Sequence, residues 1–363
     1  MEKIICIVSH CPDPLINKRL EMLRVKYDVC VLYIERGNNE FKRIDDVEYI
    51  KLDANYINGK IYRRVFDLLK LKRYVKKLIT EKNAKVLYAF RLDMLLLINK
   101  FKDCKIIYEV ADLHNAIINK SKNIIRIIIR KLLYSVEKRA TKNIHILSIT
   151  SEKYYDVYFS KFIPKEKVIY MPNIPNTEYF GEYKKKAAGE FTIGYIGFVR
   201  YKEQMKMLIE ASKHTNVKVF FAGASDDDEI MEMSKEALNV KYYGRYNYND
   251  EIADLYSKCD CIYSVYDTSY NNVKYALPNK LYESIYCELP ILVSDGTYLG
   301  ELVKEWNVGI TVDPNSVQDL VKKIELLRDN KDFYNELVNG CIKNKENINM
   351  EIYNEKFMER LSK

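Results

Sequence analysis

Two stretches in the second half of the chain place cationic side chains at predicted helix starts. The first, FTIGYIGFVRYKEQMKMLIEA at residues 191–211, is typical of a strand that ends at Gly197, a turn, and a helix that begins near Glu203. A helix N-terminus supplies free N–H donors and the positive end of a dipole. Arg200 and Lys202 lie in the turn and can pair with phosphate oxygens. The alternative is an ordinary turn with solvated basic residues.

The second stretch, YALPNKLYESIYCELPILVSD at residues 275–295, combines a predicted helix start with a cation and a carboxylate. Pro278 lies near the helix start, where its missing N–H costs nothing. Lys280 follows in the first turn and opposes the helix dipole, a conflict that a bound anion would relieve. Glu283 lies one turn further on, where it can accept hydrogen bonds from two vicinal hydroxyls. A simple surface ion pair between Lys280 and Glu283 is the alternative.

Candidate acid–base groups follow a predicted strand in the first half of the chain. The segment IIYEVADLHNA at residues 106–116 brings Glu109, Asp112 and His114 to the carboxyl end of that strand. Asp112 and His114 are the candidates for taking a proton or supporting developing charge. Asp112 could equally cap a following helix. His10, in the loop SHCPDP after the first strand, can contact a ligand or simply shape a turn.

Short β-branched or aromatic runs alternate with amphipathic segments of helical length along both halves of the chain. This rhythm predicts parallel sheets covered by helices on both faces. Residues 171–191 hold two prolines, two glycines and a lysine run, and form the predicted linker. We therefore expect an α/β protein of two Rossmann-like, doubly wound domains facing a central cleft. The predicted strands are 3–9, 29–34, 47–52, 85–90, 105–110, 144–150, 167–171, 192–196, 217–222, 240–243, 261–265, 291–294 and 309–312. The predicted helices are at about 15–26, 61–81, 92–101, 122–142, 151–161, 203–214, 227–238, 249–258, 278–288, 297–306, 316–329, 332–344 and 350–361.

The motifs IGFVRYKEQMKMLIEA, YALPNKLYE and LPILVSD together resemble the retaining GT-B glycosyltransferases of the group 1, or family 4, type. The resemblance is strongest over residues 190–312 and is specific to a branch of bacterial surface-polysaccharide assembly. It implies an acceptor domain at residues 1–175, a donor domain at 176–345, and a C-terminal helix at 346–363 that packs back on the first domain. It also implies transfer from a nucleotide-sugar, with UDP preferred, to a glycan or polyprenyl-linked acceptor with retention.

The resemblance assigns roles to the candidate residues of the second half. Glu283 matches the glutamate that binds the donor ribose, and Arg200 and Lys202 match the basic pair on the diphosphate. Gly197 and Lys280 add to the diphosphate site. Contacts with the ribose, base or sugar are expected from Pro278, Asn279, Tyr275, Leu277, Gly223, Arg245 and Tyr246.

Two departures from the family pattern leave alternatives open. The paired family glutamate stands eight positions before Glu283, where this chain has Tyr275. The usual Lys-Gly pair after the first phosphate turn is replaced by Glu203 and Gln204, which makes Lys206 a rival phosphate ligand. A catalytically silent nucleotide-sugar-binding subunit is therefore the second hypothesis. A sugar-nucleotide epimerase of similar shape is the third.

Charge is distributed unevenly along the 363 residues. Residues 1–180 have a net charge of +14 and residues 181–363 a net charge of −6. The segment 119–142 is a predicted basic amphipathic helix, and Ile124 and Ile127 lie outside its single apolar stripe. Such a stripe is usually buried in the core. Binding to an anionic membrane surface is the alternative.

The histidine and cysteine content, the lengths of the apolar segments and the first ten residues indicate which cofactors and which location to expect. Four histidines and the absence of a CxxC pair argue against a metal site, so we expect no metal or other cofactor. No segment reaches the ~18 apolar residues of a spanning helix. The N-terminal MEKIICIVSH is typical of a buried strand rather than a signal peptide. We therefore expect a cytoplasmic protein, peripheral to the inner membrane face at most, with no nucleic-acid partner.

Overall fold

The computed structural model describes residues 1–35, 41–53, 61–114, 123–181, 183–184, 189–225 and 227–363, except for the side chains of residues 61–69. The chain divides into two units. The first comprises Met1–Pro172 with Glu351–Lys363, and the second comprises Asn173–Met350. Residues 119–122 of the predicted basic helix, and residues 182 and 185–188 of the predicted linker, lie outside the described part.

The first unit is built on a parallel sheet of seven strands in the order β3-β2-β1-β4-β5-β6-β7. Each strand is a short run of β-branched and aromatic residues, and most are buried on both faces because helices cover the sheet. The strands are β1 (Glu2–Val8), β2 (Tyr27–Tyr33), β3 (Val47–Lys51), β4 (Val86–Phe90), β5 (Lys105–Val110), β6 (Ile146–Ile149) and β7 (Val168–Tyr170).

The helices of the first unit begin where the sequence offers caps. Asp13 accepts a hydrogen bond from the N–H of Ile16, and Pro14 takes the first helical position. Asn123 caps a later helix by accepting from the N–H groups of Ile125 and Arg126. The helices are α1 (Pro14–Arg24), α2 (Ile61–Glu81), α3 (Leu92–Ile98), α4 (Ile124–Ala140) and α5 (Glu152–Val157), together with the C-terminal α14 (Met350–Ser362).

The second unit repeats this plan with a parallel sheet of six strands in the order β10-β9-β8-β11-β12-β13. The strands are β8 (Thr192–Ile196), β9 (Lys218–Ala222), β10 (Val240–Tyr242), β11 (Cys261–Ser264), β12 (Ile291–Ser294) and β13 (Gly309–Val312). The strand order reverses between β8 and β11. Open α/β sheets bind ligands beyond the carboxyl ends of strands at such a point.

The helices of the second unit surround a core of aliphatic and aromatic side chains from β8, β9, β11 and the helices packed on them. They are α6 (Lys202–Thr215), α7 (Asp228–Glu236), α8 (Tyr248–Ser257), α9 (Asn271–Tyr275), α10 (Asn279–Tyr286), α11 (Tyr298–Glu305), α12 (Val317–Asp329) and α13 (Lys331–Asn344).

The strand predictions are confirmed, since each of the thirteen predicted strands occurs with both ends within two residues of those expected. The helix predictions are less accurate. A single helix was expected over 151–161, but α5 ends at Val157 because Tyr158 leaves the helical backbone region. Phe159 then packs against the ring of Tyr108. The short helix α9 was not predicted at all. Within the described residues, none of the helices has the length and apolar content needed to cross a bilayer.

Candidate functional site

The turn after β8 is shaped by Gly197, whose φ of +132° is strained for any residue with a side chain. Its N–H donates to the carbonyl of Ala222 at 2.8 Å. A Cβ at this position would lie 2.8 Å from the Nζ of Lys280. The hydroxyl of Tyr195 fixes the turn by donating to the carbonyl of Phe198 at 2.9 Å. Glycine therefore lets the ammonium group of α10 approach the backbone at the switch point of the sheet.

Lys280, the second residue of α10, brings its ammonium group to this turn. Its Nζ lies 4.5 Å from the ring centroid of Tyr195 and donates to the hydroxyl of Tyr266 at 3.3 Å. Burial lowers the pKa of Lys280, but Tyr266, Tyr195 and Glu283 outweigh it and raise the pKa to about 12. No carboxylate of the described residues comes within ion-pairing distance of Nζ. A fixed, half-buried cation that has no ion-paired carboxylate among the described residues is suited to binding an anion.

Aromatic rings enclose this ammonium group. Tyr201 has a left-handed backbone with φ of +64°, and its ring lies 5.0 Å from that of Tyr266 and 6.1 Å from that of Tyr270. The hydroxyl of Ser294 holds Tyr266 in place, because it accepts from the backbone N–H at 2.7 Å and donates to the carbonyl at 2.8 Å. Arg200 is exposed, with its guanidinium carbon 5.3 Å from the Tyr201 ring centroid. Arg200 and Lys280 therefore share the Tyr201–Tyr266 wall.

The second predicted phosphate cation, Lys202, has other partners. At the start of α6 its Nζ pairs with Glu229 of α7 and lies 3.6 Å from Asp227. Lys206, the rival for the phosphate role, also pairs with Glu229. Hydrogen bonds from Lys202 and Lys206 lower the pKa of Glu229 to about 2. Both lysines are thus ion-paired with Glu229, whereas the expectation was a free cation in the turn.

Glu283 lies in the interior, between α10 and α8. Its Oε1 accepts from the hydroxyl of Tyr248 at 2.5 Å, and its Oε2 accepts from the hydroxyl of Tyr256 at 2.6 Å. The side chain is only 3% exposed. The alternative of a surface ion pair with Lys280 is therefore wrong. Each carboxylate oxygen still has a second lone pair, so the group can accept from a ligand while the tyrosines hold it.

The loops after β9 and β10 lie beside the β8 turn. The N–H of Gly223 donates to the carbonyl of Gly244 at 2.8 Å. A Cβ at Gly223 would overlap the carbonyl oxygen of Gly197, so close backbone contact alone requires glycine here. Arg245 is exposed. Tyr246 is half-buried, and burial together with the charge of Glu283 raises its pKa. Tyr246 therefore lies near Glu283, the residue predicted to bind the ribose.

The remaining predicted donor contacts lie at the junction of α9 and α10. Tyr275 is the last residue of α9, and Asn279 is the first residue of α10. Pro278 is the N-cap, with extended backbone angles. Leu277 is buried, whereas the other three side chains are half-buried. The segment from Tyr275 to Lys280 thus forms one edge beside the ammonium group.

In the first unit, the predicted acid–base residues follow β1 and β5. His10 is held by Asp13, with 3.2 Å between its Nε2 and Oδ2. Burial raises the pKa of Asp13, but hydrogen bonds from His10 and the backbone lower it overall. Asp112 and His114 are both exposed. Partial burial of the ring and the charge of Arg91 lower the pKa of His114, so its imidazole is neutral at physiological pH and can accept a proton.

Glu109, at the end of β5, lies in a buried hydrogen-bond network and not with the exposed Asp112 and His114. Its two oxygens accept from the Nε of Arg19 at 3.1 and 3.2 Å. The hydroxyls of Tyr88 and Ser148 also donate to it. Arg19 in turn donates to the carbonyl of Met171 at 2.8 Å. This arrangement ties α1, β4, β5 and β6 together, so Glu109 has a structural role.

The predicted residues therefore separate into distinct groups. Gly197, Arg200 and Lys280 share the β8 turn, Glu283 and Tyr246 lie near one another, and Lys202 belongs to the α7 ion pairs. The sequence analysis missed the tyrosines that surround Lys280 and Glu283. The spacing of Tyr248 and Tyr256, two turns apart in α8, is a signal that could have identified their shared face. Among the described residues, no group of three or more His, Cys, Asp or Glu is arranged to hold a metal ion.

The chain matches known proteins in both sequence and structure. Residues 179–347 match the family of group 1 glycosyltransferases. A Campylobacter jejuni protein, GalNAc-alpha-(1->4)-GalNAc-alpha-(1->3)-diNAcBac-PP-undecaprenol alpha-1,4-N-acetyl-D-galactosaminyltransferase, is 25% identical over 197 residues. The match spans about half of this chain and about half of that relative, 51% of each.

Two solved structures share the fold over nearly the whole chain. Sucrose-phosphate synthase from Thermosynechococcus elongatus has a TM-score of 0.75 at 14% identity, covering 99% of this chain and 98% of the other. Anabaena Alr3699/HepE, solved in complex with UDP, has a TM-score of 0.70 at 13% identity and covers 100% of both chains. Residues 179–347 thus match the group 1 glycosyltransferases in sequence, and the chain, with its two parallel-sheet α/β units, has the fold of the GT-B glycosyltransferases.

Proposed function

We propose that the chain transfers a sugar from a nucleotide-sugar donor, with UDP as the preferred nucleotide, to a glycan or lipid-linked acceptor. The observation that carries this proposal is the half-buried, positively charged Lys280 against Gly197, at the switch point of the second sheet. A diphosphate supplies the counter-charge that this ammonium group lacks among the described residues. The Anabaena structure with UDP supports the choice of nucleotide. The undecaprenol diphosphate in the name of the Campylobacter relative supports a lipid-linked acceptor in surface-polysaccharide synthesis.

In the proposed reaction, the bond between the anomeric carbon and the diphosphate oxygen breaks while the acceptor oxygen bonds to that carbon. Lys280 and Arg200 stabilise the negative charge on the departing nucleoside diphosphate. Lys202 contributes only if it exchanges Glu229 for phosphate. The acceptor proton passes to His114 or Asp112. We propose retention of the anomeric configuration and no requirement for a metal ion.

Glu283 and its neighbours are proposed to bind the nucleoside. The carboxylate accepts from the ribose hydroxyls, oriented by the hydroxyls of Tyr248 and Tyr256 that already hold it. Pro278, Asn279, Leu277, Tyr275, Gly223, Arg245 and Tyr246 complete the proposed contacts with ribose, base or sugar. We place the reaction in the cytoplasm.

The test is turnover by the purified chain with a panel of UDP-, GDP- and TDP-sugars. Each donor is assayed with and without a membrane extract that supplies lipid-linked acceptors. We expect nucleoside diphosphate release from a UDP-sugar that rises with acceptor and persists in the presence of EDTA. NMR of the product then reports the anomeric configuration. Release that stops with EDTA contradicts metal independence, and a product of inverted configuration contradicts retention.

A catalytically silent nucleotide-sugar-binding subunit is the second candidate. The observation in its favour is Tyr275, which stands where the resembled family has an acid and lies at the end of α9. This candidate predicts nucleotide binding by calorimetry with no turnover under any donor and acceptor combination. An epimerase would instead interconvert the free donor with no acceptor present, and the same assay with product analysis separates it from both.

A further inference from the structure

One face of α4 exposes large aliphatic side chains to solvent. The exposed fractions are 73% for Ile124, 68% for Ile125, 59% for Ile128, 41% for Ile129 and 62% for Leu132. With 3.6 residues per turn, these five side chains fall within an arc of about 140° over the first three turns. The expectation of a buried stripe is therefore wrong for Ile125, Ile128, Ile129 and Leu132, and Ile124, predicted to lie outside the stripe, is exposed beside them. Contiguous exposed apolar surface of this kind marks an interaction site.

The opposite face of α4 is anchored in the first unit, so the outward orientation of the stripe is fixed. Glu137 is buried and accepts from the hydroxyls of Tyr108 at 2.6 Å and Tyr158 at 2.7 Å. The ring of Tyr134 packs edge-on against those of Tyr158 and Phe162. Rotating the helix to bury the isoleucines would break these contacts. The apolar face is therefore held toward solvent by the core of the unit.

The charges on α4 identify the partner. The helix carries five basic residues, and Glu137, its one acidic residue, is buried. Lys131, Lys138 and Arg139 are exposed beside or beyond the apolar stripe, and Arg126 is exposed near its start. Two copies of this face would bring like charges together, which opposes self-association. A surface with an apolar interior and anionic headgroups accommodates both the stripe and its basic border.

We infer that α4 docks the chain on an anionic phospholipid bilayer. The helix lies parallel to the membrane plane, with Ile124, Ile125, Ile128, Ile129 and Leu132 inserted at the headgroup–acyl boundary. Arg126, Lys131, Lys138 and Arg139 contact lipid phosphates. At about 25 Å, the 17-residue helix presents its apolar turns at one end and its densest charge at the other. This inference does not depend on the proposed function, because binding to lipid requires neither donor nor acceptor.

Sedimentation with vesicles tests the inference on the full chain without nucleotide. We expect binding to vesicles of two parts phosphatidylcholine to one part phosphatidylglycerol, and weak binding to pure phosphatidylcholine. The triple variant Ile125→Ser/Ile128→Ser/Leu132→Ser should lower the partition coefficient at least about tenfold. The double variant Arg126→Glu/Lys131→Glu should lower it more than tenfold at low salt, since each basic residue contributes about fivefold.

Matched substitutions elsewhere control for general effects of polarity and charge. Leu326, Ile342 and Ile352 are exposed aliphatic residues on other helices, and their triple replacement by Ser should leave vesicle binding unchanged. Lys322→Glu/Lys343→Glu, at two exposed lysines of the second unit, is the charge control. Circular dichroism confirms that each variant is folded.

Two outcomes would overturn the inference. One is vesicle binding by the α4 triple variant that equals wild type while the protein is folded. The other is sedimentation velocity showing a wild-type dimer that the α4 triple variant abolishes, together with no preference for anionic vesicles. The second result would assign the apolar face to another copy of this chain.

Discussion

Replacing Lys280 with methionine isolates the role of its ammonium group in anion binding. Methionine keeps most of the aliphatic length of the side chain but removes the charge that lies against Gly197 and Tyr195. Because the pKa of Lys280 is raised to about 12, the wild-type group is fully charged across the physiological pH range. The variant therefore loses one complete positive charge at any pH used for binding.

The expected magnitude follows from the setting of this charge. A hydrogen bond to a charged group contributes about 1.5–3 kcal/mol, and the Coulomb energy at 4 Å near a protein surface is at most about 4 kcal/mol. UDP affinity should thus fall by about 10- to 150-fold in Lys280→Met. Folding stability should change little, because the lost cation–π contact with Tyr195 is offset by relief of the desolvation of the ammonium group.

Calorimetric titration with UDP and with uridine measures the effect. The loss should appear for UDP and be nearly absent for uridine, which has no phosphate. Lys206→Met is the matched control, because the Nζ of Lys206 is already paired with Glu229; its UDP affinity should change by less than about threefold. Wild-type UDP affinity in Lys280→Met, or an equal loss for UDP and uridine, would refute the reasoning.

Three further predictions concern the backbone, the buried carboxylates and pH. Gly197→Ala should lower the free energy of unfolding by about 1–3 kcal/mol because of the φ of +132°. It should also weaken UDP binding, because the new methyl group displaces Lys280. Gly189→Ala is the control, since the space around Gly189 is open. Equal free energies of unfolding for Gly197→Ala and Gly189→Ala would contradict this prediction. Tyr256→Phe removes a donor to the buried Glu283 and should cost about 1–3 kcal/mol in urea unfolding, whereas the half-exposed Tyr270→Phe should be neutral. Equal costs would exclude a stabilising hydroxyl at Tyr256. Burial raises the pKa of Glu137 from its ordinary 4.5, although hydrogen bonds from Tyr108 and Tyr158 oppose the rise. The folded state is therefore favoured most below pH 4.5, where the carboxyl group is neutral, and this stability is lost as pH rises through the folded-state pKa; the Tm of Glu137→Gln relative to wild type should therefore increase as pH rises above 4.5. A pH-independent Tm difference would argue against this.

The sequence determined the strands and the sheet type because these depend on local pattern. Short β-branched and aromatic runs gave the strands, including 105–110 and 192–196, and the helical-length segments between them implied parallel pairing. The Gly197 turn and the helix start at Lys280 were also identifiable, since glycine and helix caps act over a few residues.

Only the tertiary structure decided which charges are neutralised. Lys202 and Lys280 are both lysines in the first turn of a helix, yet Lys202 meets Glu229 and Lys280 meets tyrosine rings. Glu109 and Glu283 likewise gave no sequence signal of burial, because their partners come from strands and helices distant in the chain. The exposed isoleucines of α4 follow the same rule. Periodicity shows that a helix has an apolar face, but packing decides whether that face is covered.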